Sequence, residues 1–238
     1  MLAIFRKEIN SFFASTTGYL VIGLFLVLNG LFLWVFEGDF NILDYGYADL
    51  TPFFQLVPWI FLFLIPAVTM RSFSDEIKQG TLEILLTKPI TIFQLVMGKF
   101  LGAFVLILVA LLPTLIYIWA IAALGNPVGN LDYGILIGSY LGLLFLAAAY
   151  TSMGIFMSSL TTNQITAFIM SLSICFVWYY GLDGLADLLA MHWLGNLSMR
   201  QHFDSISRGV IDTRDLVYFI SVGALFFYLT MLRTKTKR

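Results

Sequence analysis

The stretch YGILIGSYLGLLFLAAAYTSMGIFMSSLTTNQITAFIMSLSICFVWYYGL, residues 133–182, contains no Asp, Glu, Lys or Arg. A helix crosses the hydrocarbon core of a bilayer, about 30 Å thick, with roughly 20 residues. The stretch is therefore too long for a single crossing, and its polar break at Ser158–Gln164 divides it into two. We predict two membrane-spanning helices here, Tyr133–Met157 and Ile165–Gly181.

The rest of the chain repeats this pattern. Hydrophobic residues make up 60% of the 238 residues and charged residues only 11%, against about 25% charged residues in an average soluble domain. This composition excludes soluble, disordered, fibrous and nucleic-acid-binding proteins. We expect one all-α integral membrane domain over residues 1–238 with six spans, the other four being Tyr19–Phe36, Phe53–Met70, Leu95–Leu124 and Leu216–Leu232.

No catalytic or metal-binding pattern is found in the sequence. Both histidines, His192 and His202, fall in the segment between the last two predicted spans, and Gly98-Lys99 is followed by Phe100 rather than by the Ser or Thr of a P-loop. We expect the spans to hold no ionisable residue, with Lys99, near the start of the predicted span Leu95–Leu124, counted among the basic residues of the segment that precedes it. This expectation argues against an ion channel, a coupled carrier or an enzyme.

Basic residues predict the orientation. Ten of the thirteen Lys and Arg residues lie at the two ends of the chain or in and beside segment 71–94, whereas the loop 37–52 carries only acidic charges. By the positive-inside rule both termini and segment 71–94 are cytoplasmic. At the amino end, apolar residues recur at helical spacing around Arg6-Lys7-Glu8, which indicates an interfacial helix over Leu2–Ser15, within residues 1–16.

Segment 71–94 favours a short amphipathic helix on the cytoplasmic side. Ser74, followed by two acids, is typical of a helix start, and Lys88-Pro89 is typical of an end. The spacing predicts a single helix over Ser74–Leu86. Gly80 lies inside it at a cost of about 1 kcal/mol, which indicates a bend or the close approach of another backbone. We expect the apolar face to lie on lipid or to dock into a partner protein.

The same segment carries a family resemblance. The pattern Arg71-Ser-Phe, then Glu76-x-x-x-Gly80-Thr-Leu-Glu83-x-Leu-Leu-x-x-Pro89, then Gly98-Lys99, resembles the membrane permeases of type-2 ABC transporters. The stretches 126–140 and 202–215 resemble more specifically the gliding-motility-associated (GldF) permease family of these transporters.

The resemblance implies a six-span permease in a bacterial inner (cytoplasmic) membrane, with an interfacial elbow helix and a cytoplasmic coupling helix. It implies two copies of an ATP-binding subunit, which would hold ATP and Mg²⁺, a second permease chain (this one or a homologue), and an auxiliary subunit of GldG type. Nothing catalytic is expected of the chain, which would bind no cofactor itself. The implied ATPase-coupling residues are Arg71, Asp75, Glu76, Gly80, Thr81, Leu82, Glu83 and Leu85. Of these, Glu76 and Glu83 would pair with bases of the ATPase, and Leu82 and Leu85 would be apolar anchors.

Two further groups are left with alternatives. Gly138, Gly142 and Ala149 form a small-residue stripe that fits either packing within the chain or an interface between permeases. In the outer, partly helical segment 182–215, we expect ion pairs among acids and bases, or recognition of an outer partner or anionic group; this set comprises Arg200, His202, Asp204, Arg208 and Asp212. An alternative function is a mechanotransmission module, which passes ATP-driven changes to an outer protein and moves no solute.

Overall fold

The computed structural model describes residues 1–210 and 212–236, with the backbone but not the side chain of His192. The described residues are 82% helical and contain no strand. Six helical stretches are long and apolar enough to cross a membrane: Thr16–Trp34, Thr51–Lys78, Ile92–Leu124, Tyr133–Leu160, Gln164–Leu189 and Thr213–Thr236. The predicted all-α fold with six membrane-spanning helices is therefore confirmed.

Individual helices follow one another with short connections. In chain order they are α1 (Leu2–Ala14), α2 (Thr16–Trp34), α3 (Ile42–Tyr45), α4 (Thr51–Thr69), α5 (Arg71–Lys78), α6 (Thr81–Leu86), α7 (Ile92–Leu111), α8 (Ile116–Leu124), α9 (Tyr133–Leu160), α10 (Gln164–Phe176), α11 (Leu182–Leu189), α12 (His192–Gly195), α13 (Met199–Ile206) and α14 (Thr213–Thr236). A 3₁₀ turn at Leu112–Leu115, which contains Pro113, joins α7 to α8, and a π-helical turn at Val177–Gly181 joins α10 to α11.

The centre of the bundle is built by α4 and α9. Phe53 and Phe61 of α4 and Tyr150 of α9 are fully buried. Farther along, a Cβ placed on Gly154 of α9 would lie 2.1 Å from Oγ1 of Thr69, so only glycine lets the two helices approach there. The Thr69 hydroxyl donates to the carbonyl of Ile65, 2.9 Å away, which satisfies the buried oxygen inside its own helix.

The helix predicted over Ser74–Leu86 is wrong in its start and in its continuity. Met70 has right-handed helical dihedral angles, so α4 continues through it into α5, and Ser74 lies inside the helix with its hydroxyl donating to the Met70 carbonyl. The break comes at Gly80, whose φ of +69° ends α5 in the left-handed conformation that glycine adopts without strain. No atom lies within 4 Å of a Cβ placed there, so Gly80 serves the bend and not a close approach within this chain.

Several other helices begin or end at residues other than those predicted; α14, for example, covers Thr213–Thr236 rather than Leu216–Leu232. α7 begins at Ile92, three residues before the predicted start, because Thr91 and Gln94 form a reciprocal capping box around its first turn. The fifth span continues through the π-helical turn to Leu189 rather than ending at Gly181. Lys237 and Arg238 of the basic tail lie outside the described residues.

A single methyl group tests the α4–α9 contact. We expect Gly154→Ala to lower the free energy of unfolding by about 1–3 kcal/mol, since the new Cβ displaces Thr69 from a packed core. In the matched control Gly30→Ala, on α2, the Cβ meets nothing within 4 Å, and the change should be neutral or slightly stabilising. Thermal unfolding of both purified variants measures the difference. Equal unfolding temperatures would refute the close approach.

Candidate functional site

A cluster of four charged side chains joins α1, α5 and α7 at one end of the bundle. We call Lys7, Glu8, Glu76 and Lys99 the charge cluster. Nζ of Lys99 donates to Oε1 of Glu8 at 3.0 Å and lies 2.9 Å from Oε2 of Glu76. Nζ of Lys7 donates to the other oxygen of Glu76 at 2.5 Å. Two ammonium groups and two carboxylates thus neutralise one another.

Lys99 is the centre of the charge cluster. Its side chain is only 1% exposed, and Nζ also donates to the carbonyl of Ser72 at 2.5 Å and lies 5.0 Å from the ring centroid of Phe73. A charge withdrawn from water is tolerated only when it is paired and hydrogen-bonded. The expectation that the spans hold no ionisable residue is therefore wrong, because Lys99 lies within α7, where acids from two other helices meet it.

Lys7 lies at the open edge of the charge cluster and is about half-exposed. Partial burial lowers the pKa of Lys7, but the hydrogen bond and the charge of Glu76 outweigh it, so the pKa is raised above 10.5. The ammonium therefore stays charged at neutral pH and keeps Glu76 paired on both sides.

Two glycines of α7 allow α1 to reach the charge cluster. A Cβ on Gly98 would lie 2.8 Å from Cγ2 of Ile4, and one on Gly102 would lie 2.6 Å from Cβ of Glu8. The small-x-x-x-small spacing thus brings α1 against α7, a packing device typical of membrane helices. The elbow helix predicted at Leu2–Ser15 is held on the bundle by this contact, with Ile4 buried.

The α5–α6 hairpin, residues 71–86, is fixed by its apolar residues. Leu82 and Leu86 of α6 are buried in one apolar group with Phe73, Leu95 and other neighbours from α1, α7 and α9. The apolar face expected to lie on lipid or to dock into a partner is therefore covered within the chain. The exposed residues of the hairpin's tip are Lys78, Gln79, Gly80, Glu83 and Ile84.

The expected ATPase-coupling residues divide into two sets. Glu76 and Leu82 are 7% and 3% exposed and face inward, and Glu76 is paired with Lys7 and Lys99 within this chain. Leu85 is half-buried beside Leu82. The others are exposed or partly exposed: Arg71, Asp75, Gly80, Thr81 and Glu83. Nη1 of Arg71 lies 3.4 Å from the Thr17 hydroxyl, and the carboxylate of Asp75 accepts a hydrogen bond from the Gln164 amide.

Four residues of this site were missed by the sequence reasoning: Lys7, Glu8 and Lys99 of the charge cluster, and Ser158. Ser158, near the end of α9, donates to the carbonyl of Met70 at 2.9 Å and accepts from the amides of Phe73 and Ser74 at 3.0 and 3.1 Å. Its hydroxyl thus ties α9 to the junction of α4 and α5. Its only sequence signal is the polar break between two spans, which does not indicate that a serine there binds the backbone of another helix.

The small-residue stripe faces the interior of this chain. A Cβ on Gly138 would lie 2.6 Å from the carbonyl of Ile206, and one on Gly142 would lie 3.1 Å from the ring of Phe203, both on α13. Ala149 is fully buried. In this structure all three residues are therefore buried against other parts of the same chain.

At the other end of the bundle the expected ion pairs form only in part. Arg200 lies 3.4 Å from Asp183 and 3.8 Å from Asp204, whereas His202 Nδ1 lies 2.6 Å from Asp215. Asp212 instead accepts from the backbone amide of Arg214, at 2.9 Å. Arg208 is exposed and has no carboxylate within 4.0 Å among the described residues. In the described part of the chain, no group of His, Cys, Asp and Glu could hold a metal ion.

Removing the ammonium group of Lys99 should destabilise the charge cluster. We expect Lys99→Met to lower the free energy of unfolding by about 3–5 kcal/mol, because Glu8 and Glu76 are left buried without their shared partner. The control Lys78→Met, at an exposed position of α5, should have little effect. Thermal unfolding in one lipid or detergent compares the two variants.

A second variant separates charge from shape. If unpaired carboxylates cause the loss, then adding Glu8→Gln and Glu76→Gln to Lys99→Met should recover part of the stability. A triple variant that is no more stable than Lys99→Met would contradict the electrostatic explanation.

Asp204 gives a pH-dependent prediction. Partial burial raises the pKa of Asp204, whose side chain is about half exposed, above 3.8, with Arg200 opposing the rise and Asp183 adding to it. The folded state therefore holds this proton to higher pH than the unfolded chain does. Its stabilising effect is full below pH 3.8 and is lost as the pH rises through the raised pKa.

Replacing this carboxyl removes the dependence. The unfolding temperature of Asp204→Asn, relative to the unchanged protein, should rise as the pH increases from 3.8 to about 7. The control is Asp187→Asn, at an exposed position of α11. Thermal unfolding at a series of pH values measures both; a difference for Asp204→Asn that does not change with pH would count against the raised pKa.

Comparison with known proteins identifies the family. The family model described as ABC-2 family transporter protein matches residues 2–220, nearly the whole chain. No curated protein matches the chain. The matched region contains the charge cluster, the hairpin and the first five spans. The chain belongs to the ABC-2 family of transporter proteins and is a multi-pass membrane component of an ABC transporter.

Proposed function

We propose that this chain is a permease subunit of the gliding-motility type, which couples ATP hydrolysis by a separate subunit to the movement of a substrate across the bacterial inner membrane. The family match supports the permease assignment. The type is supported by the resemblance of residues 126–140 and 202–215 to such permeases.

The observation that carries this proposal is the exposed tip of the α5–α6 hairpin. Glu83 and Ile84 project from α6, with Ile84 61% exposed. Behind them, Leu82 and Leu86 are buried, and Glu76 is held by the charge cluster. A partner that pushes on the tip therefore pushes on α1 and α7 as well, which is what a coupling element requires.

The distribution of charge supports a cytoplasmic location for this tip. Arg6, Lys7, Arg71, Lys78 and Lys88 lie at the end of the bundle that carries the charge cluster, while the loop 37–52 at the other end carries only acids. Positive residues remain in the cytoplasm during insertion. In the proposal, both termini are cytoplasmic and α13 is at the outer surface.

In the proposed assembly, other subunits bind the nucleotide and complete the membrane domain. Two copies of an ATP-binding subunit hold ATP and Mg²⁺ and contact the hairpin tips of two permease chains, which are identical or homologous. An auxiliary subunit of GldG type completes the complex. The coupling residues that remain in this proposal are those at or near the exposed tip: Gly80, Thr81, Glu83 and, at its edge, Leu85. Ile84, which is 61% exposed, is added to them. Arg71 and Asp75 flank the tip on α5.

A charge placed on the tip tests the proposal. We expect Ile84→Asp to weaken binding of the ATPase subunit at least tenfold, since truncating an apolar anchor of an interface costs about 2 kcal/mol. Leu188→Asp is the matched control, because Leu188 is 84% exposed at the end of the helical bundle opposite the hairpin. Co-purification from native membranes and ATPase activity of the complex measure the effect.

The expected pattern is loss of the ATPase subunit with Ile84→Asp and its retention with Leu188→Asp, while both variants insert and unfold like the unchanged chain. Retention of the ATPase by Ile84→Asp, or the absence of any P-loop partner after crosslinking, would refute the coupling role.

A further inference from the structure

A cavity of about 550 Å³ opens beside the charge cluster, between α1 and the first turn of α2 on one side and α5 and α6 on the other. Its volume falls within the range of about 300–1,000 Å³ typical of small-molecule sites. The four side chains of the charge cluster form one wall, where they neutralise one another. The cavity extends from Thr17, at the start of the first span, to Ile84 at the hairpin tip.

Arg71 brings to this cavity a positive charge that no acid neutralises. Its Nη1 lies 3.4 Å from the Thr17 hydroxyl, and among the described residues no carboxylate lies within 4.0 Å of its guanidinium. The hydroxyl of Ser11, on α1, lines the same cavity. A guanidinium matches the geometry of a phosphate group with two parallel hydrogen bonds, and hydroxyls can donate to the remaining phosphate oxygens.

Asp75 brings a negative charge to the cavity one helical turn farther along α5. One oxygen of its carboxylate accepts from the Gln164 amide, and no Lys, Arg or His nitrogen among the described residues lies within 4.0 Å of it. Arg71 and Asp75 are four residues apart on one face of α5 and both line the cavity, yet they do not pair with each other. A ligand that carries both signs of charge would pair with both.

We propose that this cavity binds the phosphoethanolamine headgroup of a phospholipid. The phosphate accepts hydrogen bonds from the guanidinium of Arg71 and from the hydroxyls of Thr17 and Ser11. The primary ammonium donates to the oxygen of Asp75 that Gln164 does not use. The headgroup thereby links α1 and the start of α2 to α5.

The surroundings of the cavity favour a lipid over a soluble phosphoamine. Thr17 begins a line of side chains on one face of α2 that continues with Leu20, Leu24 and Val27, which are 62%, 47% and 57% exposed. This apolar line belongs to the first span, so acyl chains that cover it place their headgroup beside Thr17. Arg71 is the first charged residue after the apolar run of α4, so both sides of the cavity lie where an apolar span meets polar residues.

Other headgroups and ions match the lining less well. The lining carries three bases and three acids: Lys7, Arg71, Lys99, Glu8, Asp75 and Glu76. An anionic headgroup, or a free inorganic anion, would pair with Arg71 but leave Asp75 unpaired and bring a net negative charge to a lining whose net charge is zero. A phosphocholine headgroup is zwitterionic, but its quaternary ammonium has no N–H to donate to Asp75.

This inference goes beyond the proposed function, because it concerns a lipid that the chain binds without any partner. The full chain is purified in a non-ionic detergent, washed free of co-purifying lipid, and titrated calorimetrically with three dioctanoyl phospholipids. Their headgroups are phosphoethanolamine, phosphocholine and phosphoglycerol, on identical acyl chains. Glycerophosphoethanolamine, which has no acyl chains, is the fourth probe and separates a lipid from a soluble phosphoamine. Native mass spectrometry counts the bound molecules.

We expect one phosphatidylethanolamine per chain, bound at least fivefold more tightly than the other two lipids and at least tenfold more tightly than glycerophosphoethanolamine. Arg71→Gln should weaken all three lipids at least tenfold, because each carries a phosphate. Asp75→Asn should weaken phosphatidylethanolamine and leave phosphatidylcholine within twofold. The matched controls are Lys78→Gln and Asp187→Asn, at exposed positions of α5 and α11 that do not line the cavity.

Three results would overturn the inference. They are the absence of saturable phosphatidylethanolamine binding at a Kd below about 1 mM, an equal effect of Arg71→Gln and Lys78→Gln, and equal affinities for the three lipids. Binding of glycerophosphoethanolamine as tight as that of the lipid would overturn the assignment to a lipid.

The test does not depend on the tolerance of one variant. Arg71 is exposed, so Arg71→Gln should unfold at the same temperature as the unchanged chain, and it carries the test even if Asp75→Asn destabilises the fold. Thermal unfolding of each variant checks this point. No ATPase subunit is present in any titration, so a failure here is distinguishable from a failure of the coupling role.

Discussion

The neutralisation of the Lys99 ammonium by Glu8 and Glu76 is the interaction on which the charged end of this molecule depends. An unpaired charge at this depth would disfavour the folded state by several kcal/mol, so α1 and α5 must both be present for α7 to hold its lysine. The glycines at 98 and 102 make the pairing geometrically available by letting α1 lie against α7. One buried cation thereby sets the positions of the elbow helix and of the hairpin that follows the second span.

Elsewhere in the bundle, small residues and hydroxyl groups hold the helices together, as the charge cluster does at this end. Gly154 admits Thr69 between the two central helices, and Gly138 admits the backbone of α13. Ser158 donates to and accepts from backbone groups at the junction of α4 and α5. In an apolar solvent, association of helices relies on such close packing and hydrogen bonding, since burial of apolar surface adds little there. The structure thus combines a tightly packed centre with two polar ends of different chemistry.

Local sequence patterns predicted the number of spans but not the partners of their polar residues. Six apolar stretches follow directly from the length of chain that a bilayer requires, whereas Lys99 was assigned to the aqueous segment because charges are ordinarily exposed. Its partner Glu8 is 91 positions away, beyond the reach of any helical periodicity. The burial of Glu76 and Leu82 could not be predicted either, because it depends on helices that are distant in the sequence. The π-helical turn could not be predicted because it has no distinctive sequence. A bend at Gly80 was one of the two predicted alternatives, and it could be predicted because the low helix propensity of glycine is a property of the residue itself.

The unbroken passage of α4 into α5 has a mechanical consequence. Thr51–Lys78 is helical over 28 residues, about 42 Å at 1.5 Å per residue. Its first turns line the cavity between α4, α9 and α13 and its last turn leads to the hairpin tip, so one continuous helix connects surfaces at the two ends of the bundle. A ligand that favours one tilt of this helix at one surface changes the free energy of binding at the other surface. The change is the same in both directions, because linkage between two sites is reciprocal. Pro58 and Pro66 lie within this helix, and each removes one backbone hydrogen bond from it.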